Sequence, residues 1–213
     1  MIKEAVYKYR IKFSKCPVSI TSHEMRRMIK DAIANSGLKY AQRKNHPRFN
    51  LGPVAGAGEA SLCEYADICL LRESGLDAIA SSLAPHIIGG YKIEDIKEIP
   101  FMLSSVEFLA DFAMYNIKGV KADIEKFSAC RKIECETEHD NGIKEIKNIR
   151  PFIYSVKLNG DEVEIIIKLD VLRALSMRQI LMKLPGFEVD EHKLEILRLA
   201  LFWQNGRGAL VRV

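Results

Sequence analysis

The sequence predicts an α+β protein made of two similar units, covering residues 1–103 and 104–213. Three observations carry that expectation. Strand-like segments with a period of two alternate with short stretches of helical period. The order strand, helix, strand, strand, helix, strand is read twice along the chain. Two S/T-x-x-E/Q capping boxes, Thr21 with Glu24 and Ser176 with Gln179, mark helix starts in each half.

The elements follow in order. Tyr7, Tyr9, Ile11 and Phe13 alternate with Lys8, Arg10 and Lys12, which gives a strand with one apolar and one basic face. After the Thr21 box, Met25, Met28, Ile29, Ala32 and Ile33 follow the spacing of a buried helical stripe, with Gly37 as a stop. Leu38 to Arg43 reads as a second strand. Asn45 to Ser61, with Pro47, Pro53, Gly52, Gly56 and Gly58, reads as a long connection of the kind that carries function. Leu62–Leu71 is a third strand, Leu76–Ile87 a short helix and Tyr91–Ile99 an edge strand.

Pro100–Ser105 then leads into the second unit. Its strands are expected at 108–117, 132–139, 152–158, 163–169 and 194–203, and its helices at 122–131 and after Ser176. Asp140-Asn141-Gly142 and Asn159-Gly160 read as tight turns. The repeated order is that of the ferredoxin-like split βαββαβ unit, with an extra hairpin in the second half.

Composition narrows the class. The 213 residues are 48% hydrophobic and 28% charged, the balance of an ordinary globular domain rather than a disordered chain. No apolar run reaches the roughly 18–20 residues of a membrane span, and the charged, alternating N-terminus is unlike a signal peptide. The expected compartment is the cytoplasm. The five cysteines (Cys16, Cys63, Cys69, Cys130, Cys135) contain no C-x-x-C pair, so neither a zinc site nor a disulfide framework is expected, and no metal or cofactor is implied.

Charge is uneven. The net charge is +4, yet residues 1–50 hold twelve Lys or Arg against three Asp or Glu, so the rest of the chain is net acidic. That asymmetry points to an anionic partner. The candidate RNA- or anion-binding residues are Lys8, Arg10, Lys12, Lys15, Arg43, Lys44, His46 and Arg48. The first strand offers its cations to phosphate without an aromatic for base stacking on the same face. The competing expectation is that the second unit covers that face, with Glu134, Glu136 and Glu138, which alternate on one face of their strand, as acidic partners. Glu64 and Asp67, three apart on a strand, lie on opposite faces. They read as structural ion-pair partners rather than an acid–base dyad.

Several short motifs together resemble the radical-SAM-linked proteins, a family found beside or fused to radical S-adenosylmethionine enzymes. Tyr9, Arg10, Phe13 and Lys15 match its opening strand, and Ser22 with His23 its helix start. Asn45, His46, Pro47 and Arg48 match a basic stretch. Gly58, Ser61, Glu64, Tyr65 and Asp67 match a G-x-x-S-x-x-E-[YF]-x-D motif. Arg150-Pro151, Ser176, Arg178 and Arg198 are similar to the family's C-terminal half. The chain departs at Cys16-Pro17-Val18-Ser19, where the family carries Gly and Arg, and at Glu24-Met25 after the histidine.

The resemblance implies a non-catalytic accessory or substrate-presenting partner of a radical enzyme on a separate chain, with RNA as the substrate class. The C-x3-C-x2-C motif of the radical enzymes themselves is absent. Two alternatives stand beside it. One is a metal-independent RNA endonuclease, similar to the paired ferredoxin-like enzymes that cut CRISPR repeat RNA. There His23 would act as base, Lys15 or Arg26 would steady the phosphate, and Gly206-Arg207-Gly208 would echo their glycine-rich loop. The other is a small-molecule binding module using the Asn45–Ser61 connection.

Overall fold

In the computed structural model, residues 6–138 and 144–213 are described. The chain is α+β, mostly strand with few helices, and divides into two compact units, 1–109 and 110–213.

In the first unit, β1 (Tyr7–Lys15) is followed by α1 (Ser22–Asn35), then the short strands β2 (Gln42–Arg43), β3 (His46–Pro47) and β4 (Phe49–Leu51). β5 (Ala60–Leu70), α2 (Leu76–Leu83), β6 (Tyr91–Ile99) and the single-turn α3 (Val106–Leu109) complete it. The main sheet runs β4-β5-β1-β6, and each adjacent pair is antiparallel. Period two does what the sequence implies: Tyr9, Ile11 and Phe13 turn to one face with Ala66, Ile68 and Leu70. Met25, Ile29, Ala32 and Ile33 of α1 and Ile79 and Leu83 of α2 close over them. Full burial of each large apolar side chain contributes about 1.5–3 kcal/mol. The Thr21–Glu24 capping box forms as read, with each residue accepting from the other's backbone N–H.

Two expectations for this unit are corrected. Leu38–Arg43 is not a strand of the sheet. Tyr40 makes an isolated bridge to Leu70, and Gln42–Arg43 pairs with His46–Pro47 instead. The strand beside β5 is β4, inside the segment expected to be a connection. The cause is local: Lys44 and Asn45 both adopt positive φ (51° and 61°) and close a two-residue hairpin. That hairpin reverses the chain and feeds Phe49–Leu51 onto the sheet.

The second unit has β7 (Phe112–Lys118), β8 (Val120–Ala122), α4 (Ile124–Ala129), β9 (Glu134–Glu138) and β10 (Lys144–Asn148). It continues with β11 (Ile153–Asn159), β12 (Glu162–Lys168), α5 (Leu169–Leu172), α6 (Met177–Leu181), β13 (Phe187–Val189), β14 (Glu195–Gln204) and β15 (Leu210–Arg212). Its sheet runs β11-β12-β7-β14, again antiparallel at each step, with β15 paired to β14. β9 with β10, and β8 with β13, form separate two-stranded ribbons. Ala113, Tyr115, Ile117, Val163, Ile165 and Ile167 are buried by the same alternation. The Ser176–Gln179 box caps α6. The strand expected from Phe108 begins only at Phe112, because Val106–Leu109 winds into α3 with Ser105 O accepting from the N–H groups of Phe108 and Leu109. The Asp140-Asn141-Gly142 turn lies outside the described residues.

Candidate anion-binding surface

The basic face of β1 is largely internal. Lys8, Arg10 and Lys12 point away from the helices, and Asp67 lies opposite Arg10 on β5. Arg10 donates to both Asp67 oxygens, from Nε at 2.8 Å and from Nη2 at 3.0 Å, while Lys8 Nζ lies 3.5 Å from the same carboxylate. The chain beyond β6 folds back across these cations. Leu103 O accepts from Lys8 Nζ at 2.6 Å, and Ser104 O accepts from Arg10 at 3.0 Å. Lys8 is therefore 7% exposed. The expectation of three cations presented in a row is corrected: an acid three strand positions past Glu64 neutralises two of them, and a returning segment covers them. Lys12 is half-buried.

Lys15 is corrected in the same way. It is 2% exposed and donates from Nζ to Ala55 O at 3.1 Å and Gly56 O at 2.8 Å. The opposite polarity of that loop is taken by acids: Ala55 N–H donates to Glu64 Oε1 and Gly56 N–H to Glu59 Oε2. Gly58 sits at φ +78° and its N–H donates to Val18 O. Ser61 is fully buried, with its Oγ accepting from Cys63 N–H. Lys15, Glu59 and Glu64 thus form a buried polar knot that shapes the 53–58 loop, with Ser61 opposite Lys15 on the neighbouring strand, while Gly58 is exposed. The loop's amides at 55 and 56 are spent on glutamates and do not face an incoming phosphate.

His23 and Ser22 are exposed in the first turn of α1. Thr21 caps the helix. Two of the thiols are poorly placed for chemistry, since burial pushes Cys69 and Cys135 above the ordinary cysteine range. Among the described residues, no group of three or more His, Cys, Asp or Glu side chains is arranged to hold a metal. No helix among them is long and apolar enough to cross a membrane.

The exposed charge lies on the β2–β3 hairpin. Arg43 and His46 form a cross-strand pair, Lys44 occupies the turn and Arg48 follows directly, all four exposed. Among the described residues, Arg43, Lys44 and Arg48 have no acidic partner within salt-bridge distance. The backbone of Arg48 is fixed, its N–H donating to Ala41 O and its carbonyl accepting from Cys69 N–H. From Ala32 to Gly58 the chain contains Lys39, Arg43, Lys44 and Arg48 and no acid. In the first unit, Arg48 lies 4.9 Å from the centre of the Phe101 ring, and Arg26 lies 5.9 Å from that of Phe49. Sequence reading passed over both rings. The only available signal was an apolar run, Phe101-Met102-Leu103, directly after a strand and a proline.

In the second unit, Arg150 donates to Cys130 O and lies over Phe127, and Arg178 stands 3.8 Å from Glu191, the acid that its unfavourable place near a helix start calls for. Arg198 is buried.

The fold and this surface define a class: an α+β protein with an exposed basic hairpin and a largely internalised first-strand charge. The chain belongs to a family conserved in bacteria, whose model, described as "uncharacterized protein conserved in bacteria (DUF2344)", matches residues 8–181. A comparison with curated proteins found no match. The family match says nothing of a radical enzyme or of RNA.

Proposed function

We propose that this protein is a non-catalytic accessory that binds RNA through the Arg43–Arg48 hairpin and presents it to a radical S-adenosylmethionine enzyme. The observation that carries the binding is the set of exposed cations at Arg43, Lys44 and Arg48, in a stretch with no acid from residue 32 to 58. The link to a radical enzyme rests on the motif resemblance alone. The same reading takes each unit as ferredoxin-like. In its support, each unit places the second, third, first and fourth strands of a βαββαβ order side by side and antiparallel. β4 serves as the second strand in one unit and β11 in the other.

A phosphate-tracking surface responds to salt. Each contact to a single strand contributes about −0.7 to the slope of log affinity against log salt. Arg43, Lys44 and Arg48 together therefore give a slope of roughly −2. Fluorescence anisotropy of a labelled single-stranded RNA dodecamer between 50 and 300 mM salt (roughly the range over which screening changes most) measures it. Arg43→Glu with Lys44→Glu lowers affinity and flattens the slope by about 1.4, with no loss of thermal stability. Binding with a slope near zero, or no binding, removes the proposal. The protein alone leaves the RNA intact, and His23→Ala changes nothing. Metal-independent cleavage that His23→Ala abolishes establishes the endonuclease instead. Co-purification of a radical enzyme with the intact chain tests the partner.

A further inference from the structure

At the end of β6 the chain makes a tight turn in which Leu103 N–H donates to Pro100 O at 2.9 Å. Its two central residues are Phe101 and Met102, which are 40% and 88% exposed. Turn tips ordinarily carry Gly, Asn, Asp or Ser, because these residues satisfy their own backbone and are solvated. An exposed phenylalanine and methionine there have no role in the core, since the segment is outside the cluster formed by the sheet and helices.

The turn is nevertheless held firmly. The carbonyls just after it, Leu103 O and Ser104 O, are gripped by Lys8 and Arg10, whose positions are set in turn by Asp67. Two nearly buried cations, costly to desolvate, are thus committed to holding this turn in place. The guanidinium of Arg48 lies against the Phe101 ring, and its backbone is locked between Ala41 and Cys69. Arg48 joins the two features: it follows the basic hairpin directly and lies against the apolar turn.

We propose that the Phe101–Met102 turn is the base-stacking half of a single-stranded RNA site whose phosphate half is Arg43, Lys44 and Arg48. The inference rests on the RNA-binding reading and narrows it to unpaired strands. Single strands are bound by cations that follow the backbone and by aromatic faces or arginine planes on which bases stack. A duplex keeps its bases stacked on each other and gains nothing from Phe101. A protein partner is a poorer fit, because two side chains and the neighbouring Leu103 offer far less than the ~800 Å² per side of a standard protein interface.

The experiment compares Phe101→Ala with the parent on three probes: the RNA dodecamer, an equally charged RNA hairpin, and inorganic polyphosphate. The expected result is a roughly ten-fold loss of affinity for the dodecamer, with an unchanged salt slope and unchanged binding of the hairpin and polyphosphate. Phe101→Trp retains dodecamer affinity, and RNA quenches the new indole. Because the ring is at the surface, both variants melt as the parent does. Equal losses on all three probes assign Phe101 a structural role and overturn the inference, as does an unchanged dodecamer affinity. A dimer in sedimentation that Phe101→Ala dissolves overturns it in favour of self-association. Salt-dependent RNA binding that ignores Phe101 leaves the basic hairpin standing and removes only the stacking step. Absence of RNA binding by the parent removes both.

Discussion

Replacing Asp67 by alanine tests the central claim about the first unit, that its strand cations are internal struts. The carboxylate side chain is 1% exposed and receives two hydrogen bonds from Arg10, with Lys8 at 3.5 Å. Its removal leaves two cations, with side chains only 7% and 13% exposed, facing each other without a counter-charge. Breaking a buried pair by deleting one partner costs about 3–5 kcal/mol. Native domains have only about 5–15 kcal/mol in hand. At about 2–4 °C per kcal/mol for a chain of this size, the melting temperature falls by roughly 6–20 °C. Thermal melts and urea titrations followed by circular dichroism measure the loss. Screening by 1 M salt recovers little of it, since the site is shielded from solvent. A triple variant, Lys8→Met, Arg10→Met and Asp67→Leu, recovers most of it, because no charge is then left buried alone. An Asp67→Ala protein within about 1 kcal/mol of the parent, or a triple variant no better than the single one, refutes the reasoning.

Further outcomes follow from other parts of the fold. Glu24 accepts from the Thr21 N–H and hydroxyl, which holds its carboxyl below the usual glutamate range. Its contribution to α1 is therefore present at neutral pH and lost as pH falls through that lowered value. The gap in melting temperature between the parent and Glu24→Ala should close in acid, and a constant gap across the titration contradicts this. Gly119→Ala places a Cβ 2.5 Å from the Lys193 backbone at φ +76°, so urea unfolding should show a loss well above 1 kcal/mol; a neutral result contradicts the close approach. Lys15→Met strips a buried and a half-buried carbonyl of their donor and should cost about 2 kcal/mol or more in the same assay. Faster amide exchange in the 53–58 loop should accompany it, and unchanged stability removes the lysine from the polar knot.

What the sequence by itself determined is local. The alternation of Tyr7 to Phe13, the stripe from Met25 to Ile33, the two capping boxes and the Asn159-Gly160 hairpin each depend on residues within a few positions of one another. The first three appear in the structure where they were read, and the hairpin turn falls one residue on, at Gly160-Asp161. The hairpin at Lys44-Asn45 was not legible, because it depends on a lysine adopting positive φ, which is rare outside glycine and asparagine. Glu64 and Asp67 were legible as residues on opposite faces, but not their partners. The tertiary structure alone decided which cations meet solvent. Arg10 meets an acid 57 residues away and Lys8 a carbonyl 95 residues away, whereas Lys44 is carried outward on a two-residue turn. Charge patterning marks a strand face as polar; whether that face is wet depends on a chain segment returning over it. Here Leu103 and Ser104 return over Lys8 and Arg10, and the same return leaves Phe101 beside Arg48.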